Sequence, residues 1–150
     1  MRNDGKQEKT SGTLEQTAFV TIQRVADDLA WNVIELLKSA DLTSTQYNVL
    51  RILRGAGAEG LPCHDVGERL INRDPDVTRL LDRMEKRGLV ARSRQAKDRR
   101  VITVQITNDG LQLLKQFDKP VEAMHREQFK NLSQSQLKTL IDLLDKVRDN

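Results

Sequence analysis

The sequence predicts a mainly α-helical chain that carries one small β-hairpin. Three observations lead there. Apolar residues recur at helical spacing through most of the chain, and residues that cap helices stand at the starts of those stretches. Residues 101–107, VITVQIT, instead alternate with period two, as a half-buried strand does. Finally, the charge is uneven. Residues 69–100 hold 11 Lys and Arg against 5 Asp and Glu, whereas the whole chain carries only +3. A basic middle between slightly acidic ends is an electrostatic footprint for a polyanion, provided the cations share a surface.

At 150 residues the chain suits one domain with a sizeable core, and 37% hydrophobic with 31% charged residues suits a soluble, helix-rich protein. No apolar run approaches the roughly 20 residues of a membrane span. Residues 1–12 are polar, lack the apolar stretch of a signal peptide, and are expected to form a mobile arm. A single cysteine, Cys63, leaves no internal disulfide and fits a cytoplasmic location.

The elements follow in order. Residues 13–38 place Phe19, Ile22, Val25, Leu29, Val33 and Leu36 at helical spacing, with no Pro or Gly inside. A second helix starts at Thr43, where Thr43 and Gln46 form a capping box, and Gly55, Gly57 and Gly60 end it. Leu61-Pro62 reads as a connection and residues 65–70 as a brief helix. Asp74 is the expected N-cap of the next helix, with Pro75 in its first position and Gly88 just past its end. That helix has two faces. Val77, Leu80, Leu81 and Met84 form an apolar stripe, and Asp76, Arg79, Arg83 and Lys86 lie opposite. Residues 89–94 and 101–107 read as the two strands of the hairpin. Thr107 caps a long helix to about residue 131, which Pro120 should bend or break. Ser133 and Gln136 form another capping box. Behind it Leu137, Leu140, Ile141, Leu144 and Val147 make a stripe that no later element covers. Left in water such a stripe is an aggregation liability, so pairing with a second copy of the chain is expected.

Helix, turn, amphipathic helix with a cationic face, then a hairpin with a cationic tip is the order of a winged helix-turn-helix. The second helix of such a pair fits the major groove of double-stranded DNA. The tip residues Lys97, Asp98, Arg99 and Arg100 then lie along the backbone, with an Arg reaching the minor groove, and Asp98 is expected to hold one arginine by a charge-assisted hydrogen bond.

Four segments carry a resemblance to a known family: LTSTQYNVLRIL, DVTRLLDRMEKRGLVARSR, KDRRVITVQITNDG and HREQFKNLSQSQLKTLIDLLDKV. The chain resembles the MarR family of bacterial transcription regulators over nearly its entire length. The resemblance implies a homodimer that binds pseudo-palindromic DNA, with repression the expected mode and release by a small-molecule effector or by oxidation. It implies a division into a winged helix-turn-helix at 43–107 and dimerisation helices at 13–42 and 108–150, within one domain at 13–150. Asp98 and Arg100 match the family's Asp-x-Arg wing pattern, which makes Arg100 the minor-groove residue and Arg99 a phosphate contact. Asp76, Thr78 and Arg79 match groove-facing positions. Arg73, Arg83 and Lys86 complete the candidate DNA-binding set, together with His64, which stands where the family usually has Ser or Thr.

Each sharp reading has a plainer rival. Arg79 and Arg83 on any other helix would be solvated charges. Cys63 near a helix start invites a sensing role, yet a lone cysteine usually behaves as a small buried hydrophobe. Trp31 and Tyr47 are candidate residues of an effector pocket at the dimer interface, although single aromatics on apolar helix faces more often belong to a core. His64 and His125 are the only histidines and no Cys/His cluster has metal-ligand spacing, so neither a metal site nor a cofactor is expected. No phosphate-binding glycine loop and no catalytic constellation points to an enzyme. The standing alternative is a winged-helix interaction module whose basic face binds an acidic protein. Asp76, Asp82 and Glu85 among the cations keep it open.

Overall fold

A computed structural model describes residues 12–149. Of the expected arm at residues 1–12, all but Gly12 lies outside the described residues. Helix α1, Leu14–Leu37, is closed at its start by a capping box between Thr13 and Gln16. A 3-10 turn, Lys38–Ala40, ends on Asp41 at φ 49°, which turns the chain into α2, Ser44–Ala56. The Thr43–Gln46 capping box opens α2 as its sequence requires, and Gly57 terminates it, two residues past Gly55.

Leu61–Pro62 is not a plain connection but a short strand, β1. Helix α3, Cys63–Arg69, follows it and starts two residues earlier than the sequence suggests. Strands β2, Val90–Arg94, and β3, Ile102–Ile106, form the hairpin. The sheet is antiparallel in the order β1-β3-β2, with Leu61 opposite Val104 and Arg94 opposite Ile102. Gly60 makes the β1 contact possible. Its φ is +68°, and a Cβ there would lie 2.1 Å from the Val104 carbonyl oxygen. The alternation expected of β3 holds for Val104, which is fully buried, and Ile106, which packs on the core. Thr103 on the opposite face is buried as well, because β1 and β2 flank it at Pro62 and Ser93.

Helix α4, Val77–Lys86, begins two residues later than expected. The Asp74 carboxylate does not cap the helix. It accepts the Asp76 N–H at 2.8 Å in a local turn, and Asp76 is the N-cap, accepting the Arg79 N–H at 3.0 Å. Pro75 therefore lies in the turn rather than inside the helix. Gly88 at φ +72° ends α4 as anticipated. Thr107 caps α5, Asn108–Gln128, which runs through Pro120 without a break. The Ser133–Gln136 box opens α6, Gln134–Arg148.

The core joins α2, α4, the sheet and α5. Leu50, Leu53, Val66, Leu81, Met84, Val104 and Leu114 are inaccessible to solvent, and Gly110 lets the start of α5 press against the Leu89 carbonyl. An ion pair ties α2 to α5, with Arg54 Nη1 alone donating to both oxygens of Asp118 at 2.9 Å each. The outer helices behave differently. Only Leu37 of α1 is buried, whereas Phe19 is 63% exposed. No residue of α6 is buried in the single chain, and Ile141 and Val147 are more than half exposed.

Candidate nucleic-acid interface

The candidate surface starts from the two faces of α4. Leu80, Leu81 and Met84 are buried, which turns Thr78, Arg79, Arg83 and Lys86 outward. Arg73 is exposed in the turn before the helix. The helix packs closely on α3, since a Cβ on Gly67 would meet Val77 at 3.0 Å. The intervening turn is tethered to α2 by the Ile71 N–H, which donates to Asn48 Oδ1 at 2.8 Å.

Two arginines fix α4 from its other sides. Arg87, its C-cap residue, reaches back to the α1–α2 junction. Its Nη1 donates to the Asp41 carbonyl at 2.6 Å and its Nη2 to the Ala40 carbonyl at 3.0 Å. Arg92 of β2 lies against two carboxylates one turn apart on α4. Its Nη2 is 2.5 Å from Asp82 Oδ1, and its Nε and Nη2 donate to Glu85 at 3.2 Å each. This bonding holds the Glu85 carboxyl below its ordinary range and raises the affinity of Arg92 for its proton. The acidic residues that kept a protein-binding alternative open are thus engaged within the molecule: Asp82 and Glu85 by Arg92, Asp76 by the helix cap.

At the wing tip, Lys97, Asp98, Arg99 and Arg100 are all exposed, and the Arg100 side chain is 95% so. Asp98 does not hold an arginine by a side-chain hydrogen bond. Its Oδ1 accepts the backbone N–H of Arg100 at 3.0 Å, and the Arg100 Nε stands 3.9 Å away. Asp98 therefore orders the main chain of the tip, and the guanidinium, at the outer limit of an ion pair with it, stays exposed.

The geometry has counterparts of known role. The sequence model of the MarR family matches residues 42–102. The multiple antibiotic resistance protein MarR of Salmonella typhimurium is 32% identical over 112 residues, covering 74% of this chain and 76% of that protein. The chain belongs to the MarR family. The transcriptional repressor IacR of Pseudomonas putida is 29% identical over 136 residues, covering 91% of this MarR-family chain and 80% of IacR. A crystal structure of mutant MarR from Escherichia coli complexed with operator DNA superposes with a TM-score of 0.79 at 28% identity, covering 91% of this chain and 99% of that one.

In this MarR-family regulator the remaining candidates are placed as follows. His64 lies in the first turn of α3, 80% exposed, with Nε2 3.1 Å from Glu68 Oε1. Cys63 beside it packs partly against the core, and burial pushes its thiol pKa up despite the opposing charge of Arg92. That is the environment of a small hydrophobe, not of an activated thiol. Within the single chain Trp31 and Tyr47 line no common pocket. Tyr47 is buried edge-to-face on Phe117, 6.3 Å between centroids, and burial pushes its hydroxyl pKa up. Trp31 is 59% exposed on α1, with the Lys38 ammonium 5.7 Å from its ring centre. A groove of about 650 Å³ between α1 and α5 is lined by Asn32, Glu35, Leu36, Met124, Glu127 and Gln128, and neither aromatic belongs to it. Sequence reasoning missed Arg87 and Arg92 as the residues that hold the MarR-type α4 in place. The signal for Arg92 was present in the pair Asp82 and Glu85, three apart and facing the first wing strand.

Proposed function

We propose that this MarR-family chain is a repressor that binds pseudo-palindromic double-stranded DNA as a homodimer in the cytoplasm. Helix α4 enters the major groove, with Thr78 and Arg79 toward the base edges, Asp76 at the N-cap facing the same groove, and Arg73, Arg83 and Lys86 toward the backbone. The wing follows the next minor groove, with Arg100 inside it and Lys97 and Arg99 on phosphates. His64 approaches the backbone from α3. The uncovered apolar faces of α1 and α6 pair with those of a second copy, which sets the two α4 helices about one DNA turn apart, roughly 34–36 Å.

The observation that carries this reading is the asymmetry of charge use. On the exposed surface of α4 and the wing, the carboxylates are committed to internal partners while Arg79, Arg83, Lys86 and Arg100 project outward. A surface built to receive an acidic protein needs no such order at the tip. A surface built for phosphate and groove does.

The test is binding of the wild-type protein and of Arg100→Ala to the DNA upstream of its own gene, across a range of salt. Affinity that falls steeply with salt, and a loss of about 1–3 kcal/mol for the variant, are expected. Unchanged affinity of Arg100→Ala at the same salt removes Arg100 from the interface.

A further inference from the structure

We propose that Arg94 is a positioning residue for the wing: it locks the peptide unit that carries Arg100 and so aims that side chain, an inference that rests on the reading of Arg100 as a minor-groove residue. Arg94 was not among the residues expected to meet DNA. It closes β2 and pairs with Ile102, so its side chain stands beside the loop.

The loop has a simple internal order. Beyond the last ladder pair, the Gln95 N–H donates to the Val101 carbonyl at 3.0 Å. Inside that closure, the Val101 N–H donates to the Asp98 carbonyl at 3.1 Å, which makes residues 98–101 a four-residue β-turn. Arg99 and Arg100 are its central residues, and the peptide between them is the soft part of any such turn. Type I and type II turns differ mainly by a flip of that central peptide.

Here the peptide is held at both ends. Its carbonyl, on Arg99, accepts from Arg94 Nη1 at 2.7 Å. Its N–H, on Arg100, donates to Asp98 Oδ1 at 3.0 Å. A flip breaks both bonds. It also requires a positive φ at Arg100, which a residue with a Cβ resists, and Arg100 does not have one. The φ of Arg100 sets the direction in which its Cβ leaves the chain. Fixing the peptide therefore fixes the path of the guanidinium, although the side chain itself touches almost nothing.

Asp98 alone pins only the N–H end. Arg94 supplies the other end, from the strand rather than from the loop, so the tip inherits the rigidity of the sheet. Ordering before binding lowers the entropy lost on binding. It also sharpens discrimination, because a fixed tip fits a narrow A·T-rich minor groove and cannot adjust to a wider one.

A double-mutant cycle tests this. The probe is a duplex selected from a random pool by the wild-type protein, together with a version in which A·T pairs under the wing are replaced by G·C. Wild type, Arg94→Ala, Arg100→Ala and the double variant are compared by fluorescence anisotropy at one salt concentration. Arg94→Ala is expected to weaken binding to the selected duplex by about tenfold, the lower part of the range for one groove contact. It is expected to lose most of the preference for A·T over G·C. In the Arg100→Ala background the same substitution should add no more than the small, uniform loss of one nearby charge. Additive losses mean that Arg94 touches DNA itself, and an Arg94→Ala variant equal to wild type means that the strut is idle; either result overturns the proposal. If Arg100→Ala itself binds like wild type, the minor-groove reading falls, and the positioning role falls with it for a separately visible reason.

Discussion

Replacing Arg79 with alanine and, separately, Lys86 with alanine should give two different kinds of loss. The two residues lie seven positions apart on α4, so they point in nearly the same direction but are about 10 Å apart along the axis. The helix itself is only about 15 Å long. A helix that enters a groove roughly 8.5 Å deep by its N-terminal end presents its first turn to base edges and its last turn to the backbone. Arg79 is in the first turn, at a position stiffened by the bond from its own N–H to Asp76. Arg79→Ala should therefore lose about 1–3 kcal/mol on the preferred sequence and little on a sequence already altered at the contacted base pair. Lys86 ends the helix. Lys86→Ala should weaken every sequence alike and flatten the dependence of log K on log salt by about 0.9. The assay is fluorescence anisotropy over a panel of single-base-pair variants at several salt concentrations. A uniform loss for Arg79→Ala, or a sequence-selective loss for Lys86→Ala, refutes the orientation given to α4.

Three further outcomes follow from the same structure. Leu140→Asp with Leu144→Asp should dissociate the dimer and abolish tight DNA binding without altering a DNA-facing side chain; light scattering that finds wild type as a 17.1 kDa monomer at micromolar concentration overturns this assembly. Glu85 has a lowered folded-state pKa, so its contribution to stability is present above the ordinary value of 4.5 and is lost as pH falls through the folded one. Arg92→Met should accordingly reduce the loss of melting temperature on acidification below about pH 4.5, and identical acid limbs for the two proteins would exclude the pair as its source. Gly60→Ala adds a Cβ 2.1 Å from a backbone oxygen at a positive φ, and should destabilise by about 1–3 kcal/mol in thermal unfolding; a melting temperature equal to wild type would mean the turn is not under that constraint.

What could be read from the sequence was local. Thr43 with Gln46 and Ser133 with Gln136 announce helix starts because both partners lie within one turn. Gly88 announces a helix end because only the left-handed region is needed there. Strand β1 was illegible because two residues carry no period; Leu61 becomes a strand residue only by lying beside Val104. The start of α4 was misplaced because Asp74 and Asp76 are equally good caps locally, and the close approach of Val77 to Gly67 belongs to tertiary structure. Pro120 marked a bend or a break, and α5 has no break there, where it packs along α1 and α2. The outward cations of α4 followed from spacing alone. The parts played by Arg87, Arg92 and Arg94 did not, since each depends on which element lies across from it.

The grip of Arg87 on the carbonyls of Ala40 and Asp41 gives the recognition surface a mechanical property. The far end of α4 is bolted to the foot of α1, and α1 is about 36 Å long. If α1 swings as a rigid rod about its far end by about 5°, its foot travels about 3 Å. With the bolt intact, α4 travels with it instead of pivoting in place, and 3 Å is close to the rise of one base pair. If α4 lies in the major groove as proposed, a slight tilt of α1 passed through this bolt would amount to about one base-pair step along the DNA.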